Sequence, residues 1–205
     1  IVDPASNSGH FLLAAADRLA HHVARIQAQG TPTPAEHRHA LRHVIGRCIY
    51  GVDLNPMAVE LCKVSLWMKA VEPGLPLTFL DSHIQQGNAL IGATPELMAK
   101  GVPDEAWQPI EGDDKKIASA LKKRNKTESE GGQRAFGLTS EANTEMASPL
   151  SELAEALDRA PDNDLASLEK KTENWQAFFR SAAYQRQRFT ADTWCAAFVW
   201  PKEAG

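Results

Sequence analysis

The chain has 205 residues, 22 Lys plus Arg against 26 Asp plus Glu, a formal net charge of −4, and 43% hydrophobic residues. That composition suits one packed domain, or one domain with a large insertion, and argues against global disorder and against a uniformly basic nucleic-acid coat. No apolar run is long enough to span a membrane, and three dispersed cysteines (Cys48, Cys62, Cys195) without a C-x-x-C pair argue against a disulfide framework or a thiolate zinc site.

Ile1-Val2 reads as the stub of a strand, followed by a turn of small residues, Asp3-Pro4-Ala5-Ser6-Asn7-Ser8-Gly9. From His10 the apolar residues Leu12, Ala16, Leu19, Val23 and Ile26 recur at spacings of three and four, which predicts a helix ended by Gln29-Gly30-Thr31-Pro32. Residues 35–46 form a second predicted helix with a basic, His-rich face. Cys48 to Asp53 is a short apolar run of the buried parallel-strand type. Asn55 then caps a third helix, with Pro56 in its first turn and Met57, Leu61, Val64 and Met68 as its apolar stripe. One or two short strands follow within residues 77–91, ending at Gly87-Asn88.

Alternation of strand and helix over residues 1–92 predicts an α/β fold, part of a doubly wound parallel sheet. Residues 93–205 are different: charged helical patterns at 113–126, 149–159, 164–183 and 190–199, with a polar stretch expected to be a mobile loop around 127–148. This half reads as a mainly helical insertion. Neither end resembles a natural domain boundary, so the chain is expected to be a fragment of a longer protein. With no signal peptide, a cytoplasmic location is expected.

Three features at successive strand ends could carry chemistry. The Asp3–Gly9 turn is built of small residues that let a ligand approach the backbone, Asn7 tolerates a left-handed conformation, and a helix begins directly after it. Asp53, at the end of the next strand, can accept two hydrogen bonds from ribose hydroxyls. Asn88 offers a donor and an acceptor to an adenine edge. Each alone is weak, but in this order they describe a nucleoside cofactor lying across a strand edge. The phosphate-cradling G-x-G-x-x-G and G-x-x-x-x-G-K-[ST] fingerprints are absent, and Asp3 would repel a pyrophosphate. S-adenosylmethionine, with an amine, a sulfonium, a ribose and an adenine, suits two acids and an amide better.

The same residues carry a family resemblance. Asp3-Pro4-Ala5-Ser6-Asn7-Ser8-Gly9-His10-Phe11 resembles the D-P-A-C-G-S-G-x-F motif of S-adenosylmethionine-dependent DNA methyltransferases that act on the exocyclic amine of adenine. Tyr50 to Leu61 and Ile84 to Gly92 are similar to their second and third motifs. The closest likeness is to the large restriction-modification and phage-defence methylases, in which a long helical segment follows the third motif; Trp194 to Trp200 resembles the end of that segment.

The resemblance implies a Rossmann-like sheet and a role for each matching position. Asp3, Pro4, Ala5, Ser6, Asn7 and Gly9 would wrap the methionine part, with Phe11 packing against them. Asp53 would hold the ribose and Leu54 one adenine face, while Asn88 would meet the adenine edge and Leu90 its other side. The implied partners are double-stranded DNA with a flipped adenine and the remainder of the full-length polypeptide. Ser6 and Asn7 stand where Cys and Gly are common, and 44 positions separate Gly9 from Asp53 where about 20 is usual. The family's N-P-P-aromatic catalytic tetrapeptide does not occur in the 205 residues; it is expected beyond Gly205, so no catalytic residue is assigned here. A methyltransferase for RNA, protein glutamine or a small molecule, or a non-catalytic relic that binds DNA or a partner, are the competing readings.

Other features have plainer readings. His39 and His43 are four apart but lack a third ligand, so no metal is expected. Lys115-Lys116 and Lys122 to Lys126 could contact phosphates or form a solvated face. Arg180, Arg186 and Arg188 interleave with Phe178, Phe179 and Tyr184, a pattern that fits a packed helix better than a single-strand binder. Cys62 and Cys195 are expected to be core.

Overall fold

A computed structural model describes residues 1–130 and 140–203. It is mostly helical, with one small parallel sheet, and it divides into two compact units.

The first unit comprises residues 1–90 and 156–177. Its strands β1 (Val2–Asp3), β2 (Tyr50–Asp53) and β3 (Ile84–Gln86) pair in parallel in the order β1-β2-β3. Val2 lies beside Tyr50 and Asp3 beside Gly51, while Asp53 lies beside Gln86. Parallel pairing brings all three carboxyl ends to one edge. Helices α1 (His10–Ala28) and α2 (Pro34–Cys48) connect β1 to β2, and α3 (Pro56–Ala70) connects β2 to β3. The doubly wound sheet expected from the sequence needs a reversal of strand order; among the described residues the order runs one way and no reversal is seen.

The helices begin where capping chemistry allows. Thr33 forms a reciprocal capping box with Glu36 at the start of α2, and Asn55 Oδ1 accepts the Met57 N–H at 3.0 Å to start α3. Both helices carry proline in the first turn.

The core is alanine-rich on α1 (Leu12, Ala16, Ala20, Ala24), which lets α2 approach closely with Ala40, Leu41, Val44 and Ile45. Two predicted stripes need correction. On α1, Leu19 and Val23 are only partly buried and Ile26 is 77% exposed, because the close contact with α2 selects the alanine line. On α3, Met57, Leu61, Val64 and Met68 all face solvent. The buried face is Ala58, Val59, Cys62, Leu66 and Ala70. Lys63 shares that buried face and is neutralised by Asp81 and Glu60 at 2.6 and 3.0 Å. Burial works against its charge, but those two carboxylates outweigh it and raise its pKa.

Residues 156–177, expected to lie in the insertion, belong to this first unit instead. The physical reason is a set of buried polar contacts. His83 Nε2 meets Asp158 at 2.8 Å while its Nδ1 meets the Ile49 carbonyl at 2.9 Å, and its ring stacks on Tyr50 at 4.3 Å. Asp162 accepts from the Phe79 N–H and the Thr78 hydroxyl, both at 2.9 Å. Lys171 donates to the Asp158 and Ala160 carbonyls, closing the end of α6 (Ser140–Arg159).

Burial pushes the Asp162 carboxyl up, but the hydrogen bonds from Phe79 and Thr78 and the nearby Lys171 and Arg42 outweigh it and hold the pKa below its usual value. Stability from this group is therefore complete above about 3.9 and is lost as pH falls through the lower folded value. Asp162→Asn should lower stability by about 2 kcal/mol at neutral pH, and its melting curves should converge with those of the wild type only in acid. A gap that stays constant down to the acid end would show that the charge is not the source.

The second unit comprises residues 91–155 and 178–205, of which 131–139, 204 and 205 lie outside the described residues. It contains α4 (Pro95–Ala99), a 3-10 turn (Asp104–Trp107), α5 (Lys115–Glu130), the first part of α6, the end of α7 (Leu165–Arg180) and α8 (Ala182–Val199). The loop expected around 127–148 is helical at 127–130 and 140–148; the rest of that expectation falls on residues outside the description. Ser181 caps α8 through the Tyr184 N–H, so the predicted break at 184–189 lies instead at 181. Trp194 donates to the Gly101 carbonyl at 3.0 Å. Its neighbour Cys195 is half-buried rather than core, since α8 buries no residue fully. Lys202 is buried against Asp113, whose carboxylate also accepts the Lys202 N–H at 2.9 Å. No helix among the described residues is long and apolar enough to cross a membrane.

Candidate functional site

The carboxyl edge of the sheet gathers the predicted residues through backbone hydrogen bonds. Ser6 N–H donates to the Val52 carbonyl at 3.0 Å, which folds the first turn over the end of β2. Gly87 N–H donates to the Asp53 carbonyl at 2.9 Å, which brings the third loop to the same point. Neighbouring strands lie about 4.8 Å apart, so three adjacent ends span roughly 10 Å, the length of a nucleoside.

Asp53 is the hub. Its Oδ2 accepts the Asn7 N–H at 2.8 Å and its Oδ1 accepts the Asn55 N–H at 2.9 Å. Those two hydrogen bonds, from Asn55 first and Asn7 second, hold its pKa below the usual carboxylate value. A carboxylate offers about four acceptor positions, so two remain for hydroxyl donors. Asp3 uses Oδ1 to cap its own turn through the Ala5 N–H at 3.1 Å. Asn88 Oδ1 accepts the Leu90 N–H at 2.9 Å, which leaves its amide N–H groups to donate outward. Asn7 has φ 46°, a left-handed conformation that asparagine tolerates.

The apolar candidates stand bare. Phe11 is 67% exposed rather than packed against the turn, Leu54 is 66% exposed and Leu90 95%. Pro4 and Ala5 are exposed members of the turn, while Ser6 and Gly9 are buried beneath it.

One residue beneath the turn, Gly51, was given no role by the sequence reading, whereas Gly9 was placed in the turn and Cys62 in the core. Gly51 admits Ser6 and Leu12 so closely that a Cβ there would lie 2.9 Å from Ser6 Cβ. A glycine inside a strand signals such an approach. Gly9 precedes α1 with φ 84°, and a Cβ on it would lie 2.7 Å from Cys62 Sγ. Cys62 is fully buried, and burial, with the charge of Asp3 adding to it, pushes its thiol pKa up to about 11. The thiol is therefore neutral and inert, a packing partner for Gly9.

Ser6 is 3% exposed, and its buried hydroxyl oxygen has only the Cys62 thiol, a weak partner, beside it. A buried hydroxyl held only by a thiol is poorly satisfied, a cost that alanine does not incur. Ser6→Ala should be neutral or stabilising by up to about 1 kcal/mol in chemical denaturation; a clear loss would mean the hydroxyl has a stronger partner.

Away from the edge, His39 Nδ1 lies 3.2 Å from Glu72 Oε1. Among the described residues no group of three or more His, Cys, Asp and Glu is placed to hold a metal ion.

Residues 47–191 match the Eco57I restriction-modification methylase family. That span takes in Asp53 and Asn88 and leaves out the Asp3–Gly9 turn. Over 101 residues the chain is 30% identical to a Methanocaldococcus jannaschii protein described as a type II restriction enzyme and methyltransferase, an alignment covering 45% of this chain and 8% of that protein. The chain thus matches less than a tenth of the length of this curated relative. No solved structure matches.

Proposed function

Because the chain belongs to the Eco57I restriction-modification methylase family, we propose that it is the methyl-donor half of a DNA adenine methyltransferase with a Rossmann-like core, and that S-adenosylmethionine lies along the carboxyl edge of β1-β2-β3. The observation that carries this reading is the convergence on that edge of a carboxylate-capped turn, Asp53 and Asn88, tied together by the bond from Asn7 N–H to Asp53. The residues present fit the group: two acids for its cationic and hydroxyl parts, a free amide for its base, and exposed Leu54 and Leu90 for the base's faces.

In this reading Asp53 binds and orients the ribose, held charged by its two N–H donors. Asp3 stands near the amine, and the left-handed Asn7 shapes the turn around the methionine part. The bound cofactor supplies a sulfonium methyl group open to direct attack by an amine. Leu54 and Leu90, exposed in the structure, would be covered by the two faces of the bound base. The group that would orient the acceptor amine is not assigned to this chain.

The test is to titrate S-adenosylmethionine into the full-length protein and to follow labelled methyl transfer to duplex DNA. Saturable binding and label recovered on adenine are expected. Label on RNA, on protein or on a small molecule would favour a different acceptor. Binding of DNA without binding of the cofactor would favour a non-catalytic relic.

A further inference from the structure

The far end of the α1–α2 pair carries a second charged surface that the methyl-donor site does not use. Residues 10–48 contain five of the chain's arginines and six of its seven histidines against only Asp17 and Glu36, in a chain whose net charge is −4. Both acids are engaged elsewhere: Asp17 pairs with Lys69 at 3.3 Å, and Glu36 accepts from Thr33. On α1, Arg18, His21, His22 and Arg25 recur at spacings of three and four, which places them on one face over about 10 Å of helix axis. All four are exposed. The stripe continues onto α2, where the His37 ring lies 6.2 Å from His21. His21, His22, Arg25 and Gln29 line an open cleft of about 750 Å³ closed by the turn at 30–32, and no carboxylate lines it.

We infer that this cleft and stripe bind the phosphate backbone of duplex DNA at a site separate from the methyl-donor edge. Its position supports separation: α1 leaves the edge at His10, and the cleft begins eleven residues later, about 16 Å along the axis. Arg18 and Arg25 stand two turns apart, about 10 Å, with the two imidazoles between them as further hydrogen-bonding groups; that spacing suits successive phosphates of a chain better than one isolated phosphate. Contacts of this kind position a duplex without reading its sequence. The choice of DNA rests on the methyltransferase reading above.

The experiment measures the affinity of the full-length protein for a duplex of arbitrary sequence across a salt series, for the wild type and for Arg18→Ala/Arg25→Ala. Each lost phosphate contact should flatten the log–log salt slope by about one and weaken binding roughly tenfold at ~0.1 M salt. Cofactor binding should be unchanged, which also reports that the variant is folded. If the variant keeps the wild-type affinity and slope, the site is wrong while the methyltransferase reading stands. If inorganic phosphate at equal ionic strength displaces the duplex completely, the site takes small anions and the proposal falls. If the wild type neither methylates nor retains duplex, the underlying reading fails, and this inference with it.

Discussion

Asp53→Ala should reduce the affinity for S-adenosylmethionine by about 100-fold or more while leaving the protein folded. Two carboxylate lone pairs already hold Asn7 and Asn55 N–H groups, and the two that remain are available to ribose hydroxyls. Two hydrogen bonds to a charged acceptor, lost together, correspond to a factor on the order of 100 in Kd. The same substitution also frees the Asn7 N–H, so the first turn loses its tie to the end of β2 and the methionine part loses its shaped cradle. Calorimetric titration gives the affinity, and circular dichroism reports the fold. An unchanged Kd would end the ribose assignment. Because the Asp53 pKa is lowered, the carboxylate stays charged throughout the neutral and mildly acid range, and its contribution to binding should not change between about pH 8 and 5.

Gly9→Ala should destabilise the first unit by about 2–4 kcal/mol. Two separate physical terms add. The left-handed backbone at φ 84° costs an L-residue about 1–2 kcal/mol. The new Cβ would also stand 2.7 Å from Cys62 Sγ, closer than a Cβ comes to any unbonded heavy atom, so something must shift. The two terms can be separated. Cys62→Ala removes the obstacle but not the backbone cost, so the double variant should recover only the steric share, and a double-mutant cycle should give a favourable coupling of about 1 kcal/mol or more. Additive effects would show that the helix start shifts freely and that Cys62 does not support it.

Much of the first unit was legible because its punctuation is chemical. The Asn55-Pro56 pair marked the start of α3 and the small-residue turn marked the start of α1, and both helices begin there. The three strand ends followed from short apolar runs, and parallel pairing then brings Asp53, Asn7 and Asn88 to one edge. The buried face of α3 was not legible, because the helix is apolar on two sides and periodicity cannot choose between them. The choice was made by Cys62 and Leu66 fitting under the first turn and the sheet, with Lys63 buried among acids. The place of residues 156–177 was hidden for a different reason. It depends on His83, Asp158, Asp162 and Thr78 meeting across more than 70 positions, and no local pattern announces such pairs. Gly51 could have been found, since a glycine in a strand interior marks a close approach.

The register of the sheet also sets a clock for biosynthesis. Val2 pairs with Tyr50, and Gly51 in turn with Ile84. At about 5–20 residues per second, the first strand leaves the ribosome some 2–10 seconds before its partner exists, and the third arrives seconds later still. Through that interval the Asp3–Gly9 segment has no Val52 carbonyl and no Asp53 carboxylate to fold against. Slowing translation across the codons for residues 10 to 48 would therefore lengthen the exposure of the nascent turn to proteases and chaperones, without altering a single amino acid.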